Sequence, residues 1–297
     1  MDSTKGILFD TQTTINCGGK LLDLAGPKVM GIVNLSPDSF YKGDKFSQPK
    51  TVLDRVNTML TEGAAIMDVG GMSTRPGSEP VSVDEELTRV LPTVKSIIRE
   101  FPDAILSVDT TKSEVARQTV AEGALMVNDI SGGSYDEKMS STVAELHVPY
   151  ILMHMQGTPK DMQVNPHYDD VMVELVDFFS SRVHTLRSIG VHDIILDPGF
   201  GFGKTIEHNY RILANLSSLQ MFGMPIAVGI SRKSMISKPL GITSEEALNG
   251  TTALHVLALL NGTSLLRAHD VKEAMQAVRL VQLYRDQLIA KPELQHA

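Results

Sequence analysis

Eight short apolar runs, at residues 29–35, 65–69, 105–108, 125–129, 150–153, 194–196, 226–229 and 265–268, constrain this chain more than any other feature. Most are continuous rather than alternating, the pattern of strands covered on both faces in a parallel sheet. Parallel neighbours cannot be joined by a tight turn and need a crossover segment, usually a helix. Amphipathic stretches at 51–62, 83–99, 113–122, 137–146, 170–189, 207–216, 245–260 and 271–289 supply those crossovers. Glycine follows the last turn in Glu62-Gly63, Glu122-Gly123, Ile189-Gly190 and Asn261-Gly262, a helix-stop signal. Ser113 and Ser244 precede acidic residues and are expected to be helix N-caps. Eight strand–helix units predict an α/β fold of the (β/α)8 TIM-barrel type; an open doubly wound sheet is the alternative that periodicity leaves standing. The segment 6–24, with Cys17-Gly18-Gly19-Lys20 between two short runs, predicts an N-terminal β-hairpin closing the barrel bottom. Barrels of this kind use roughly 250 residues, so residues 1–297 are expected to form a single domain.

Charge narrows the function classes. The formal net charge of -8 and a pI near 5.6 argue against a nucleic-acid partner, which calls for a basic surface. A local basic site in an acidic protein still admits an anionic substrate. Cys17 is the only cysteine, so no intramolecular disulfide forms, as expected of a chain in the reducing cytoplasm. Asp2, Lys5 and Asp10 interrupt the first ten residues, and runs such as Ala258-Leu259-Leu260 fall far short of a span. The expectation is a cytoplasmic protein with no membrane and no nucleic-acid partner.

In a barrel, chemistry sits where the strands end. Those ends carry Asn34, Asp109, Asn128, His154, Asp197, the run Ser231-Arg232-Lys233-Ser234, and Arg267 with His269. A single strand-end Asp is usually a cap or a loop hydrogen bonder; polar groups at nearly every end are another matter. Asp109, Asn128 and Asp197 offer carboxylate and amide edges to a planar heterocycle, a discriminating arrangement once buried. Lys233 is placed to donate to a ring carbonyl and to help neutralise Asp197. Arg267 and His269, two apart on a strand, share a face and with Asn34 suggest an anion site. The Asn34 amide oxygen also suits Mg2+, which takes oxygen ligands, waters and phosphate. Segments 36–46 and 73–78, rich in Gly, Pro, Ser and charge, have the composition of closing loops. The glycines of 197–204 lack phosphate-loop spacing and read as room for backbone approach, with Phe202 flanking a flat ring and Met153 flooring it. There is no zinc spacing, nucleophile elbow or dinucleotide fingerprint.

These segments, in this order, resemble the bacterial dihydropteroate synthases, the sulfonamide-inhibited family of folate biosynthesis. The resemblance is carried by residues 30–40 (MGIVNLSPDSF), 68–77 (DVGGMSTRPG), 107–110, 128–130, 152–157 (LMHMQG), 196–204 (LDPGFGFGK), 229–236 and 267–271 (RAHDV). It implies condensation of 6-hydroxymethyl-7,8-dihydropterin pyrophosphate with p-aminobenzoate by a dissociative, SN1-like route. The pterin pocket it implies is Asp109, Asn128, Met153, Asp197, Phe202, Gly229 and Lys233, with Arg267 stacking on the ring. Asn34, Arg267 and His269 are implied to hold pyrophosphate, with Asn34 on Mg2+. Phe40, Thr74, Arg75, Pro76, Lys233 and Ser234 are implied to form the p-aminobenzoate site. Asp109, Lys233, Asn34, Arg267 and His269 would carry the catalysis, and the last helices a homodimer. Ser36, Met72 and the stretch Phe40-Tyr41-Lys42-Gly43-Asp44 depart from the family's common pattern, which touches loop closure. Two rivals share the ring pocket: a methyltetrahydrofolate methyltransferase, with little use for Ser73-Thr74-Arg75-Pro76, and a non-catalytic pterin-binding paralogue.

Overall fold

Apolar runs with no polar face become strands that are covered on both sides. The protein is described here by a computed structural model covering residues 12–35, 49–73 and 77–289. A hairpin of β1 (Thr14–Cys17) and β2 (Lys20–Asp23) leads into β3 (Lys28–Asn34), α1 (Pro49–Thr61), β4 (Ile66–Gly70), α2 (Val83–Glu100) and β5 (Ile105–Asp109). Then follow α3 (Ser113–Ala121), β6 (Met126–Asp129), α4 (Met139–Leu146), β7 (Tyr150–Met153), α5 (Val171–Ser188), β8 (Ile194–Asp197) and α6 (Ile206–Ala214). The chain ends with β9 (Ala227–Val228), α7 (Ser234–Leu240), α8 (Leu248–Leu260), β10 (Leu265–Ala268) and α9 (Val271–Ile289). Strands β3 to β10 form one parallel sheet in the order β8-β7-β6-β5-β4-β3-β10-β9. A parallel bridge from Leu196 to Ile226 joins its two edges, so the sheet closes into the (β/α)8 barrel.

The strand period of two divides each run between two cores. Outward residues such as Val29, Val69, Leu106, Val127, Leu152, Leu196 and Leu266 pack under the helices. Inward residues at the starts of the strands (Met30, Ile66, Met126, Ile151, Ile195, Ala227, Leu265) form a second core. The hairpin seals that core from below with Ile15, Cys17, Leu22 and Leu24. Its turn needs Gly18 and Gly19, both at positive φ (59° and 89°), as a two-residue hairpin requires. Burial pushes the Cys17 thiol up to about 12, so it behaves as a small apolar side chain.

Helix ends partly match expectation. Gly63, Gly123, Gly190 and Gly262 all take positive φ after their helices. Ser113 and Ser244 are not N-caps. Ser113 is the first helical residue of α3, its N–H donating to Asp136 Oδ2 at 2.8 Å. Ser244 lies in the turn before α8, where Thr243 and Glu246 exchange hydrogen bonds instead. The expected single helix over 245–260 begins only at Leu248, and α7 precedes it. Seven residues containing Pro239 and stopped by Gly241 at φ 63° read as loop in sequence.

Candidate active site

Inside the barrel, the period-two rows change from apolar to polar as the strands run upward. Ile66 is followed by Asp68, Ile105 by Ser107 and Asp109, Met126 by Asn128, Ile195 by Asp197, and Leu265 by Arg267. Buried carboxylates must be paired or neutralised, and Arg267 does the pairing. Its Nε donates to Asp68 Oδ2 at 2.6 Å and an Nη to Asp109 Oδ2 at 2.7 Å. Asn128 Nδ2 donates to the same Asp68 oxygen at 3.0 Å. Burial pulls the Arg267 guanidinium down, but Asp68 and Asp109 outweigh it and hold it above its ordinary range. Burial raises the Asp109 carboxyl, with Arg267 opposing and Asp68 adding to the rise.

A slot for a flat group lies beside this cluster. Phe202, Met153, Met162 and Ile130 make one buried apolar cluster. Lys233 Nζ stands 4.6 Å from the Phe202 ring centroid and donates to the Phe200 carbonyl at 2.6 Å, rather than bridging directly to Asp197. Burial lowers the Lys233 ammonium to about 8 against the attraction of Asp197. Asp197 accepts from the Gly199 N–H at 2.7 Å; burial raises its carboxyl, and Lys233 is the strongest opposing charge. A Cβ on Gly229 would stand 3.8 Å from Lys233 Nζ and 3.9 Å from Arg267 Cβ, so the glycine keeps the space between the two cations clear.

The second inward group of the β10 end, His269, is tied to Ser231 after β9. Its N–H donates to Ser231 Oγ at 3.3 Å, and the Ser231 hydroxyl meets His269 Nδ1 at 3.1 Å. A Ser231 hydroxyl that accepts from the backbone N–H and donates to Nδ1 corresponds to the tautomer with the ring proton on Nε2, where it can meet a ligand. The ring is exposed to the cavity; enclosure there, then Arg267, holds it below its ordinary range, so it is neutral at pH 7. Behind it, Arg232 takes a positive φ (57°), grips Asp270 with two bonds of 2.8 and 3.0 Å, and donates its backbone N–H to Thr251 Oγ1. Arg232 is thereby held to Asp270, while Lys233 reaches the Phe200 carbonyl and Ser231 the His269 ring. Asp109, Phe202, Lys233, Arg267 and His269 open on a cavity of about 830 Å3 whose walls also include Asn34, Arg232 and Ser234.

The structure therefore brings Asn34, Asp109, Phe202, Lys233, Ser234, Arg267 and His269 onto one cavity, with Asn128, Met153, Asp197 and Gly229 beside it. Phe40, Thr74, Arg75 and Pro76 lie outside the described residues. Two residues at the site escaped sequence reasoning. Asp68 sits mid-strand in an apolar run; its signal was that a lone carboxylate there requires a partner. Arg55, from α1, lines the cavity and donates to the His269 carbonyl at 2.6 Å. Met72, one of the departures from the family pattern, also lines the cavity.

This geometry has relatives. The family model described as pterin binding enzyme matches residues 30–269. The dihydropteroate synthase of Escherichia coli (strain K12) is 44% identical over 266 residues, covering 89% of this chain and 94% of that protein. The chain belongs to the dihydropteroate synthase family. A Synechocystis dihydropteroate synthase is 43% identical over 255 residues, 85% of this chain and 88% of its own. Among solved structures, the Yersinia pestis dihydropteroate synthase, in complex with a sulfonamide drug, superposes with a TM-score of 0.88 at 41% identity. That likeness covers 92% of this chain and 99% of the other. The Xanthomonas albilineans dihydropteroate synthase with 4-aminobenzoic acid gives 0.86 at 39% identity, covering 93% and 99%. Membership in the dihydropteroate synthase family makes this chain an enzyme, a transferase of the EC 2.5.1 class. Among the described residues, no helix is long and apolar enough to cross a membrane.

Proposed function

We propose that this transferase condenses 6-hydroxymethyl-7,8-dihydropterin pyrophosphate with p-aminobenzoate, giving 7,8-dihydropteroate and pyrophosphate. The observation that carries the reading is the split of one cavity into two chemistries. Asp109 lines the cavity with Lys233, which stands over Phe202, while Asn128 and Asp197 adjoin them, and the wall also carries Asn34, Arg55 and His269. A volume of about 830 Å3 accommodates a bicyclic ring and a second small aromatic together.

In this reading the carboxylates and the Asn128 amide pair with the ring's N–H edge, Lys233 donates to its carbonyl, and Met153 and Phe202 bound its faces. The methylene C–O bond breaks with its electron pair leaving on pyrophosphate. Arg267, His269 and Asn34 hold that anion, and the neutral His269 donates through Nε2. Asp109 faces the cationic methylene carbon and stabilises charge that develops only in the transition state. The aniline nitrogen of p-aminobenzoate attacks that carbon, forming the C–N bond and releasing a proton. Ser234, Lys233 and residues Phe40, Thr74, Arg75 and Pro76 bind its carboxylate and ring. Segments 36–46 and 73–78 exclude the water that would otherwise capture the cation.

Among the described residues no group of three or more His, Cys, Asp or Glu is arranged to hold a metal ion. A single amide oxygen on the cavity wall fits a hard cation that takes its other ligands from water and phosphate. Asn34 would hold Mg2+ there, and the ion would neutralise pyrophosphate charge. A homodimer fits the surface: Leu257, Leu260, Leu280, Leu283, Tyr284 and Leu288 expose an apolar patch on α8 and α9. Residence in the cytoplasm fits a single, buried, inert thiol.

Purified protein mixed with the pterin pyrophosphate, p-aminobenzoate and Mg2+ is expected to release one pyrophosphate per dihydropteroate formed. Pyrophosphate release at the same rate without p-aminobenzoate would refute the condensation.

A further inference from the structure

The glycine-rich turn after β8 encloses a group that no step above uses, the ammonium of Lys204. The residue is 2% exposed. Its Nζ donates to the carbonyls of Gly199 and Phe202, each at 3.0 Å, with the His154 carbonyl at 3.4 Å and His154 Nδ1 at 3.0 Å. An ammonium has three protons and no acceptor, so these four acceptors leave no N–H unused. With the ammonium as donor, His154 Nδ1 accepts through its lone pair; burial, followed by Lys204 itself, pushes that imidazole down to about 2, and burial lowers the Lys204 ammonium to about 7 against the attraction of Asp197.

The glycines make this enclosure possible. Gly199, Gly201 and Gly203 all take positive φ (69°, 84° and 63°). A Cβ at Gly199 would lie 1.9 Å from the His154 carbonyl oxygen, and one at Gly203 2.2 Å from that of Gln156. The turn thus wraps its backbone round a cation that the turn itself supplies, and presses it against the end of β7. Two ring-pocket residues are held by the same wrapping. Gly199 donates its N–H to Asp197 while its own carbonyl, in the next peptide unit, accepts from Lys204, and the Phe202 N–H also donates to Gly199 O at 3.2 Å.

We propose that Lys204 is a positioning residue, an internal counter-cation that keeps Asp197 ionised and aimed and fixes Phe202 beside the ring. The proposal rests on the reading of this cavity as a pterin site. Lys204 is sealed from the cavity and acts only through Asp197 and Phe202.

The charges around the pair define the test. Asp197 feels burial upward, and Lys233, the Gly199 N–H, Arg267 and Lys204 downward. Lys204 acts on Asp197 from the turn after β8 and Lys233 from the β9 end, while His154 at the end of β7 and His208 on α6 face Lys204. Removing the Lys204 charge takes away a cation that favours the carboxylate, so Asp197 then protonates at higher pH.

Binding of 6-hydroxymethyl-7,8-dihydropterin pyrophosphate is measured by calorimetry from pH 5 to 8 for the wild type, Lys204→Met and Lys204→Arg, with thermal unfolding alongside. Lys204→Met is expected to bind at least about tenfold more weakly at pH 6, where the wild-type Lys204 is mostly protonated, with the acid limb of its affinity profile displaced to higher pH. Lys204→Arg, which keeps the charge, is expected to recover part of the affinity with the limb near its wild-type position. If Lys204→Met does not fold, Lys204→Gln, which keeps donors without charge, is judged by the same criterion. A uniform loss of affinity with an unmoved limb, or no loss, overturns the proposal. A wild type that binds no pterin overturns the functional reading itself.

Discussion

The two ends of the barrel interior use the same eight strands and the same period of two to opposite effect. At the lower end Met30, Ile66, Met126, Ile151, Ile195 and Leu265 meet the hairpin residues Ile15, Cys17 and Leu22, a core without a charge. At the upper end, one or two residues further along each strand row, Asp68, Asp109, Asn128 and Asp197 are buried around Arg267 and Lys233. Burying charge opposes folding, and burying apolar area favours it. The sealed lower end stabilises a barrel whose upper end is arranged for a ligand rather than for stability. Changes below should therefore alter unfolding and spare binding, and changes above should do the reverse unless they strand a charge.

The largest effect is expected where that last condition applies. Arg267→Ala leaves Asp68 and Asp109 without their cation, and breaking a buried pair costs about 3–5 kcal/mol. A carboxyl whose folded-state pKa is raised loses stability as pH climbs from its unfolded value through the folded one. Asp109 is already raised and rises further without Arg267, so the deficit in urea unfolding should be larger at pH 8 than at pH 5. An equal deficit at both would blur the distinction between the two ends. Ile195→Ala at the lower end should cost about 2–4 kcal/mol of stability through the cavity left behind. KM for both substrates should stay within a factor of two of wild type, and a large rise would show the lower core to be part of the site.

On the proposed reading Lys233→Ala removes one charge-assisted hydrogen bond to the ring and should weaken pterin binding by about 1.5–3 kcal/mol, with a smaller change in unfolding than Arg267→Ala because Asp197 keeps the Gly199 N–H. Because burial lowers the ammonium to about 8, wild-type affinity should fall as pH rises through that value, and the variant should lose this alkaline limb. The smallest effect concerns His269. Pyrophosphate brings negative charge to an imidazole held below its ordinary range, so binding raises its pKa and takes up a proton. Pyrophosphate affinity should rise less than about tenfold from pH 7 to pH 5.5, and His269→Asn should flatten that slope.

The strands were legible because their apolar runs need no long-range information. The inward and outward split of Leu265-Leu266-Arg267-Ala268 follows from period two as directly as the runs themselves. What the sequence hid was pairing over distance. Asp68 and Arg267 stand 199 residues apart, and no local pattern links them. Arg55 reaches the cavity from a helix, a place where a surface arginine is ordinary. Helix α7 was hidden by Pro239 and by its length, since its seven residues are too few for periodicity to show. Lys204 read as the tail of a glycine motif, and only the fold shows the carbonyls of Gly199 and Phe202 turned inward on its ammonium.

Asp197→Asn tests the contrast between the two ends most directly, because it removes one buried charge from the upper end and almost no volume. Asparagine can still accept the Gly199 N–H through Oδ1, and burial already disfavours the carboxylate. Calorimetric titration with the pterin substrate, paired with thermal unfolding of the same sample, should show affinity reduced by at least about tenfold and a Tm equal to or above the wild type's. Unchanged pterin affinity together with a lowered Tm would contradict the account, since it would make Asp197 a structural support and not part of a site.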